Sequence, residues 1–161
     1  MENKIPTITN SRWDRKFHYG CQHTKAFFTI TTENFIIKLT GGSVIILNKK
    51  TKEKLKKITG YNYLYTGDVK PDETELFALE NGKHFYIISL EDFTQKLKVT
   101  LPRSYEALDV YGSFSDDGKF LYVPVHKWSG NGYEIYLCAY ETENYTLLDM
   151  KKQKTWIMGW H

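Results

Sequence analysis

Three side chains that can bind a metal ion lie within six positions near the N-terminus, at His18, Cys21 and His23. Histidine and cysteine are the usual zinc ligands, but a structural zinc site normally needs four of them. No second cluster of histidine or cysteine in the sequence supplies the missing ligand. We therefore predict no metal site here, and nothing else in the sequence indicates a cofactor.

The stretch at residues 126–133 has the residue types of a binding site. Counted against the preceding repeat unit, it contains an insertion of about five residues between two apolar strands, and loops on a rigid scaffold often carry binding residues. Tryptophan and tyrosine supply large contact areas in protein interfaces. The alternative is a hairpin whose tryptophan only covers the edge of a sheet. We predict an exposed loop that contacts a partner through His126, Lys127, Trp128, Asn131 and Tyr133.

Catalytic motifs are absent from the sequence. It contains no Gly-x-Ser-x-Gly elbow, no glycine-rich phosphate loop and no paired-histidine helix motif. Its carboxylates fall mostly in turns, where an aspartate side chain hydrogen-bonds the local backbone. We predict no catalytic residue and favour a binding protein over an enzyme. The alternatives are a small hydrolase that uses residues 18–23 or turn aspartates, and a module that binds a glycan or another ligand.

The one cluster of charge is a run of lysines at residues 49–57, interrupted by Glu53. Lysines on an outer strand prevent sheets from associating edge to edge, which is our interpretation of the run. The alternative is a patch that contacts phosphates. Arg12 and Arg15, the arginines of the first half, are distant from it in sequence. Because the net charge is only +3, we do not expect a nucleic-acid partner.

The composition predicts that strands hold these side chains in place. A chain of 161 residues can form one domain with a sizeable core, and 16% aromatic residues favour strands over helices. No apolar run approaches the ~20 residues that cross a membrane, and the polar N-terminus lacks the apolar segment of a secretory signal. Cys21 and Cys138 are the only cysteines, and we expect both to be reduced in a cytoplasmic protein.

Three units with the same pattern follow one another, at about residues 31–60, 61–102 and 103–150. Each unit alternates apolar strands with polar turns, and Asp72 in one turn corresponds to Asp117 in the next. Four strands in a period of roughly 40–50 residues are typical of propeller blades. We predict a single all-β domain, residues 1–161, built as a propeller-like array of four-stranded antiparallel blades. The alternative fold is a β-sandwich.

Two local patterns test this alignment. Asn81-Gly82 between apolar runs predicts a two-residue hairpin turn in which both residues have positive φ. Residues 51–58 carry apolar side chains only at Leu55 and Ile58, which permits either a short helix or an outer strand. We predict a lysine-rich outer strand, because the segment corresponds to the alternating strand around Leu97.

The segment Phe114-Ser-Asp-Asp-Gly-Lys-Phe-Leu-Tyr-Val123 resembles the "SPDGKxLYV" element of WD40-like and YVTN-type β-propeller repeats. Val69-Lys-Pro-Asp-Glu-Thr74 is a weaker copy of the same element. The resemblance covers about residues 31–150, although the units lack the Gly-His and Trp-Asp pairs of true WD40 blades. It implies a blade architecture and a binding or scaffolding role, and it transfers no catalytic residue.

Three units are fewer than the four blades that a propeller usually needs to close. Further strands are predicted at residues 5–8, 26–30 and 155–160, and these could form part of a fourth blade. Otherwise an open end would expose an apolar face, so we expect self-association or docking onto a protein partner. The predicted seam contains Phe27, Phe28, Trp156 and Trp160.

Overall fold

The computed structural model describes residues 11–17, 28–107 and 112–153, and all the regular elements within these ranges are β-strands. They form three antiparallel sheets that follow one another along the chain. The first sheet contains β1 (Asp14–Phe17), β2 (Phe28–Thr31), β3 (Phe35–Leu39), β4 (Ser43–Asn48) and β5 (Lys54–Thr59). The middle sheet contains β6 (Leu64–Val69), β7 (Glu75–Glu80), β8 (His84–Ser89) and β9 (Gln95–Thr100). The third sheet contains β10 (Glu106–Ala107), β11 (Ser113–Phe114), β12 (Phe120–Trp128), β13 (Tyr133–Glu141) and β14 (Leu147–Gln153).

Within the first and middle sheets the order of strands in space is their order in sequence, and in the third sheet β10 and β11 both pair with β12. This arrangement confirms the all-β class and the array of antiparallel blades. The first sheet begins earlier than residue 31, because β1 and β2 pair in front of β3. Of the additional strands predicted, the one at residues 26–30 corresponds to β2, and those at residues 5–8 and 155–160 lie outside the described residues.

The two local predictions have different outcomes. The lysine-rich segment forms the outer strand β5, as predicted. The hairpin after β7 differs from the prediction, because the pairing of Leu79 with Phe85 leaves three residues, 81–83, between the strands. Of these three, only Gly82 has positive φ, at 122°. The prediction of a two-residue turn was wrong because a longer loop needs the left-handed conformation at one position only.

The side chains of the middle sheet alternate between two apolar cores. Leu76 and Ala78 of β7 pack with the first sheet, whereas Phe77 and Leu79 pack with the third sheet. The side chains of β8 also alternate between the two cores. Every residue of β7 is buried. A strand that is covered on both faces carries a continuous apolar run instead of an alternating one, which accounts for the sequence of β7.

The first sheet has one apolar face, directed at the middle sheet. A complete cross-strand row on this face is apolar, and it consists of Phe17, Phe28, Leu39, Val44 and Ile58. The residues one position further along each strand form a second cross-strand row. Their side chains point to the opposite face of the sheet, because successive side chains of a strand alternate between the two faces.

The three sheets meet at their inner strands, where Arg15 of β1 joins them. Its Nη1 donates hydrogen bonds to the carbonyl oxygens of Gly67 in β6, at 3.2 Å, and of Gly112, at 2.7 Å. Its Nη2 donates to Ser113 Oγ in β11 at 3.0 Å. A Cβ atom on residue 67 would lie 2.4 Å from the carbonyl oxygen of Phe77, so this close approach requires glycine.

Residues 11–17 are also attached to β6 by other side chains. Asp68 is a buried carboxylate that accepts hydrogen bonds from Ser11 Oγ at 2.5 Å and from the backbone N–H of Phe114 at 2.9 Å. Burial raises the pKa of Asp68 above its ordinary value, while Arg15 and these hydrogen bonds oppose the rise. Trp13 Nε1 donates to the carbonyl oxygen of Val69 at 2.8 Å. The N-terminal strand therefore belongs to the first sheet by backbone pairing and to the middle sheet by side-chain contacts.

A second buried carboxylate, Glu75, joins the middle sheet to the third. It accepts hydrogen bonds from Tyr145 Oη, at 2.6 Å, and from Lys96 Nζ. Lys70 Nζ lies 3.6 Å from its Oε1. Burial opposes ionisation of Glu75, but these hydrogen bonds and the charge of Lys70 outweigh burial and hold its pKa below the ordinary value.

Within the described residues there is no helix long and apolar enough to cross a membrane.

Candidate functional site: the aromatic hairpin

Residues 126–133 form the end of a long hairpin and not an inserted loop. Strands β12 and β13 have nine residues each, whereas β7 and β8 of the middle sheet have six. The turn is stabilised by Ser129, whose backbone N–H and Oγ both donate to the carbonyl oxygen of Gly132, at 2.9 and 2.8 Å. Gly130 has a φ of 94°, a conformation that favours glycine. The predicted loop was wrong because most of the extra residues lengthen the two paired strands.

The outward side of this hairpin carries three of the five predicted binding residues. Trp128 and Tyr133 are directly paired across the strands, and their rings meet edge to face with centroids 5.1 Å apart. His126 stacks edge to face on Tyr133 at 4.8 Å. Val125, which alternates with His126, faces the middle sheet, so these three rings lie on the side of the third sheet that points away from it. We call His126, Trp128 and Tyr133 the aromatic hairpin.

Pairing in the strands fixes the backbone of the aromatic hairpin but leaves its rings accessible. Trp128 and Tyr133 are each 62% exposed. Large apolar side chains of this kind lose little conformational freedom when they bind, because few rotatable bonds remain to be fixed. Asn131 lies exposed at the tip of the hairpin.

The opposite side of the hairpin carries the fourth predicted residue, Lys127. Its Nζ lies over the ring of Tyr105 at 5.3 Å, and Tyr105 packs edge to face on Tyr136 at 5.2 Å. Glu134 is paired with Lys127 across the strands and accepts hydrogen bonds from Lys152 Nζ and Tyr136 Oη, both at 3.2 Å. The hydrogen bond from Lys152 lowers the pKa of Glu134 below its ordinary value. Lys127 is therefore engaged within the sheet, whereas the rings of Trp128 and Tyr133 are exposed to solvent.

His126 has a buried ring nitrogen with no partner in the described structure. Its Nδ1 is inaccessible to solvent and makes no hydrogen bond. Its neighbour across β10 and β12 is Glu106, which is exposed and lies on the same face. The histidine therefore packs mainly through its ring, against Tyr133.

The predicted seam residues are placed only in part. Phe28 is completely buried in the core between the first and middle sheets, and its ring packs edge to face on Phe17 at 4.9 Å. Phe28 therefore has no exposed surface of its own, and its burial is explained by contacts within the chain. Phe27, Trp156 and Trp160 lie outside the described residues, so the seam between copies or partners stays a prediction.

Other side chains that could bind a metal ion or act as nucleophiles do not assemble into a site in the described residues. Within the described ranges no group of three or more His, Cys, Asp or Glu side chains could hold a metal ion. The stretch with His18, Cys21 and His23 lies outside those ranges. Cys138 is buried, and burial raises the pKa of its thiol to about 12, so its reactive thiolate form is scarce at neutral pH.

No family model matches the sequence, and no curated protein matches it. The fold is nevertheless similar to solved structures. Hydrazine synthase from Kuenenia stuttgartiensis superposes with a TM-score of 0.62 at 13% identity, over 74% of this chain and 34% of that one. The WD40 repeats of RRP9 superpose with a TM-score of 0.57 at 13% identity, over 74% of this chain and 35% of that one. The dihydro-heme d1 dehydrogenase NirN superposes with a TM-score of 0.58 at 10% identity, over 78% of this chain and 26% of that one.

These identities are low, so the likeness establishes the fold and nothing further. The chain spans about a third or less of the length of each of these structures. Three successive antiparallel sheets, together with WD40 and other propeller-type neighbours, identify the architecture as that of a partial β-propeller.

Proposed function

We propose that this protein is a non-catalytic interaction module that binds another protein through the aromatic hairpin. The observation that carries this proposal is the combination of rigid backbone and exposed rings. Trp128 and Tyr133 are 62% exposed although both lie in a fully paired hairpin. Tryptophan and tyrosine are the residue types that contribute most often to the energetic centres of protein interfaces.

The location of the hairpin on the scaffold supports the same role. It projects from the third sheet, on the side that points away from the middle sheet, so a partner can approach without displacing a core residue. The WD40-type likeness supports an interaction scaffold at the level of the fold. Backbone pairing of residues 126–128 with residues 133–135 fixes the hairpin and so reduces the entropy lost on binding.

One form of this proposal is association between copies of the chain. The third sheet is an end of the stack, and in a closed ring a further blade would pack there. Light scattering at micromolar concentration, repeated with Trp128→Ala, tests this form. A dimer that the substitution dissociates supports a second copy as the partner, whereas a monomer leaves a different protein as the partner.

The binding proposal itself is tested with a double variant, Trp128→Ala with Tyr133→Ala. Proteins retained from a cell lysate by the immobilised wild type identify a candidate, whose affinity for each variant is then measured by calorimetry. We expect the double variant to bind at least about tenfold more weakly, which corresponds to about 1.4 kcal/mol. The matched control is Leu148→Ala, because Leu148 is 57% exposed on β14 of the same sheet. Equal affinities of the wild type and the double variant would exclude the aromatic hairpin as the binding site.

A further inference from the structure

The outer face of the first sheet carries a row of lysines that the sequence does not reveal. Lys16 of β1, Lys38 of β3 and Lys57 of β5 lie in one cross-strand row, separated by Thr29 and Ile45. Cross-strand neighbours share a face, so the three lysines are on the same side of the sheet. Neighbouring strands are about 4.8 Å apart, which places the lysines at intervals of about 10 Å over a span of about 20 Å.

A further lysine belongs to the same face. Lys54 is paired with Leu47 at the other end of β5, in a row that also contains Ile36. Lys16, Lys54 and Lys57 are exposed, and Lys38 is half-buried. We call Lys16, Lys38, Lys54 and Lys57 the basic face. The run of lysines in the turn between β4 and β5 adjoins it.

Asp14 begins the row that contains Lys54 and is the one acidic residue of strands β1–β5, so the basic face carries a net positive charge. Among the described residues, the ion pairs of lysine involve Lys70, Lys96 and Lys152, and none involves the basic face. On the outer strands of the other sheets, Lys96 and Lys152 are paired with glutamates. Residues 11–17 and 28–59 contain ten basic and three acidic side chains, whereas residues 103–107 and 112–153 contain five and seven. Protection of an edge strand from aggregation does not account for Lys38, because β3 lies in the middle of the sheet.

The chemistry of the basic face disfavours several classes of partner. Lysine is depleted from the centres of protein interfaces, and this face has no arginine to take its place as an anchor. Binding of single strands requires exposed aromatic rings for stacking, and the exposed aromatic residues of the described chain are Tyr63, Trp128 and Tyr133, all in other regions. Stable binding to a bilayer adds protruding apolar side chains to the attraction between lysines and anionic lipids, whereas the exposed large apolar residue of the described first sheet is Leu55, at a bulge in β5.

A duplex of nucleic acid fits the remaining features. Its phosphates present one negative charge for about each 1.7 Å of helix axis, so a row of about 20 Å faces a continuous line of negative charge. The face of a sheet cannot enter a groove in the way a helix or a two-stranded ribbon does, so it does not read base edges. We propose, against the expectation from the net charge of +3, that the basic face binds the phosphate backbone of double-stranded nucleic acid without sequence preference. This site is separate from the aromatic hairpin, which lies on another sheet.

The proposal is tested by fluorescence anisotropy with a labelled DNA duplex of about two helical turns, in a series of salt concentrations. Four lysines that each neutralise one phosphate give a slope of log K against log salt of about −3.6, which is about a 150-fold loss of affinity when salt increases fourfold. The variant Lys16→Gln, Lys38→Gln, Lys57→Gln should lower the magnitude of this slope to about 1. The variant Lys16→Arg, Lys38→Arg, Lys57→Arg keeps the three charges and should have the slope of the wild type.

The matched control removes the same charge elsewhere, with Lys83→Gln, Lys98→Gln and Lys151→Gln, and should retain the wild-type slope to within about 1. Thermal unfolding of each variant checks that the fold is intact. The proposal is overturned if the duplex does not bind, or if both glutamine variants change the slope equally. It is also overturned if a single-stranded oligonucleotide, or vesicles that contain phosphatidylserine, bind more tightly than the duplex through the same lysines.

Discussion

The middle sheet and the two outer sheets share a strand pattern but differ in how they are buried. Every residue of β7 in the middle sheet is buried, whereas β3 and β4 of the first sheet contain both buried and half-buried residues. The difference arises from position in the stack, because the middle sheet has a neighbour on both faces. Core packing therefore depends most on the middle sheet.

The outer strands of the first and middle sheets share a pattern of exposure. Strands β5 and β9 are mostly exposed and rich in lysine, although they belong to differently buried sheets. The outer strands of the first and middle sheets are thus alike, whereas the burial of their inner strands depends on neighbouring sheets. The following predictions test this comparison between the middle sheet and its neighbours.

Replacement of Phe77 by alanine should have the largest effect. Phe77 is completely buried and packs edge to face on Phe85 and Phe114, so it joins the middle sheet to the third. We expect a loss of about 4 kcal/mol in the free energy of unfolding, measured by urea denaturation. Ile36→Ala on the outer face of the first sheet is the control and should cost about 1 kcal/mol. Equal losses would mean that the middle sheet has no special place in the core.

Replacement of Gly67 by alanine should be the next most harmful. The new Cβ atom would lie 2.4 Å from a backbone oxygen and 3.1 Å from Leu39, so β6 must shift. We expect a cost of about 3 kcal/mol in the free energy of unfolding. The control is Gly42→Ala in the first sheet, where the nearest atom is 3.5 Å away and the expected change is below about 0.5 kcal/mol. A neutral result for Gly67→Ala would contradict the close approach of β6 to β7.

The link between the middle and third sheets should depend on pH through Glu75. Because its pKa in the folded protein is lower than the value of 4.5 for the free side chain, ionised Glu75 stabilises the fold above about pH 4.5. This contribution is lost as pH falls through the folded-state pKa. Tyr145→Phe removes one of the hydrogen bonds to Glu75 and should cost about 1–2 kcal/mol at neutral pH and less at low pH.

Chemical denaturation at a series of pH values measures this dependence. Tyr136→Phe is the control, because the hydroxyl group of Tyr136 contacts the more exposed Glu134 at 3.2 Å. A constant difference between Tyr145→Phe and the wild type from neutral to acid pH would show that Glu75 does not act through its charge.

Trp128→Ala should have the smallest effect on stability. Its ring is 62% exposed on an outer face, so we expect a change within about 0.5 kcal/mol in the free energy of unfolding. The measurement is the midpoint of thermal unfolding. A large decrease would place Trp128 in the core and remove the main support for the aromatic hairpin as a binding site.

The sequence indicates the fold better than the site. The segment at residues 114–123 and the spacing of the turns predict blades because turn chemistry and apolar runs are local properties. The hairpin at residues 126–133 carries the predicted aromatic residues, but a longer strand and an inserted loop have the same residue count. Only the pairing of Trp128 with Tyr133 distinguishes the two.

Contacts between distant segments could not be predicted in this way. Strand β1 has only four residues, and Arg15 contacts Ser113, which is 98 positions away. Lys16 and Lys38 join the lysines of β5 only through strand register, which no local pattern specifies. A polar residue on a short edge strand with no obvious partner is the signal that could have drawn attention to Arg15.

The long reach of Arg15 has a consequence for the order of folding. Its partners in the third sheet are made almost 100 residues later, so they are absent while the first two sheets leave the ribosome. Blades of a repeat protein can in principle form one after another, each stabilised by its neighbour. Here the arginine, Asp68 and the backbone of β11 reach their final contacts together, after the third sheet has been synthesised. Strand β1, although made before the other described strands, is secured only when the third sheet is in place.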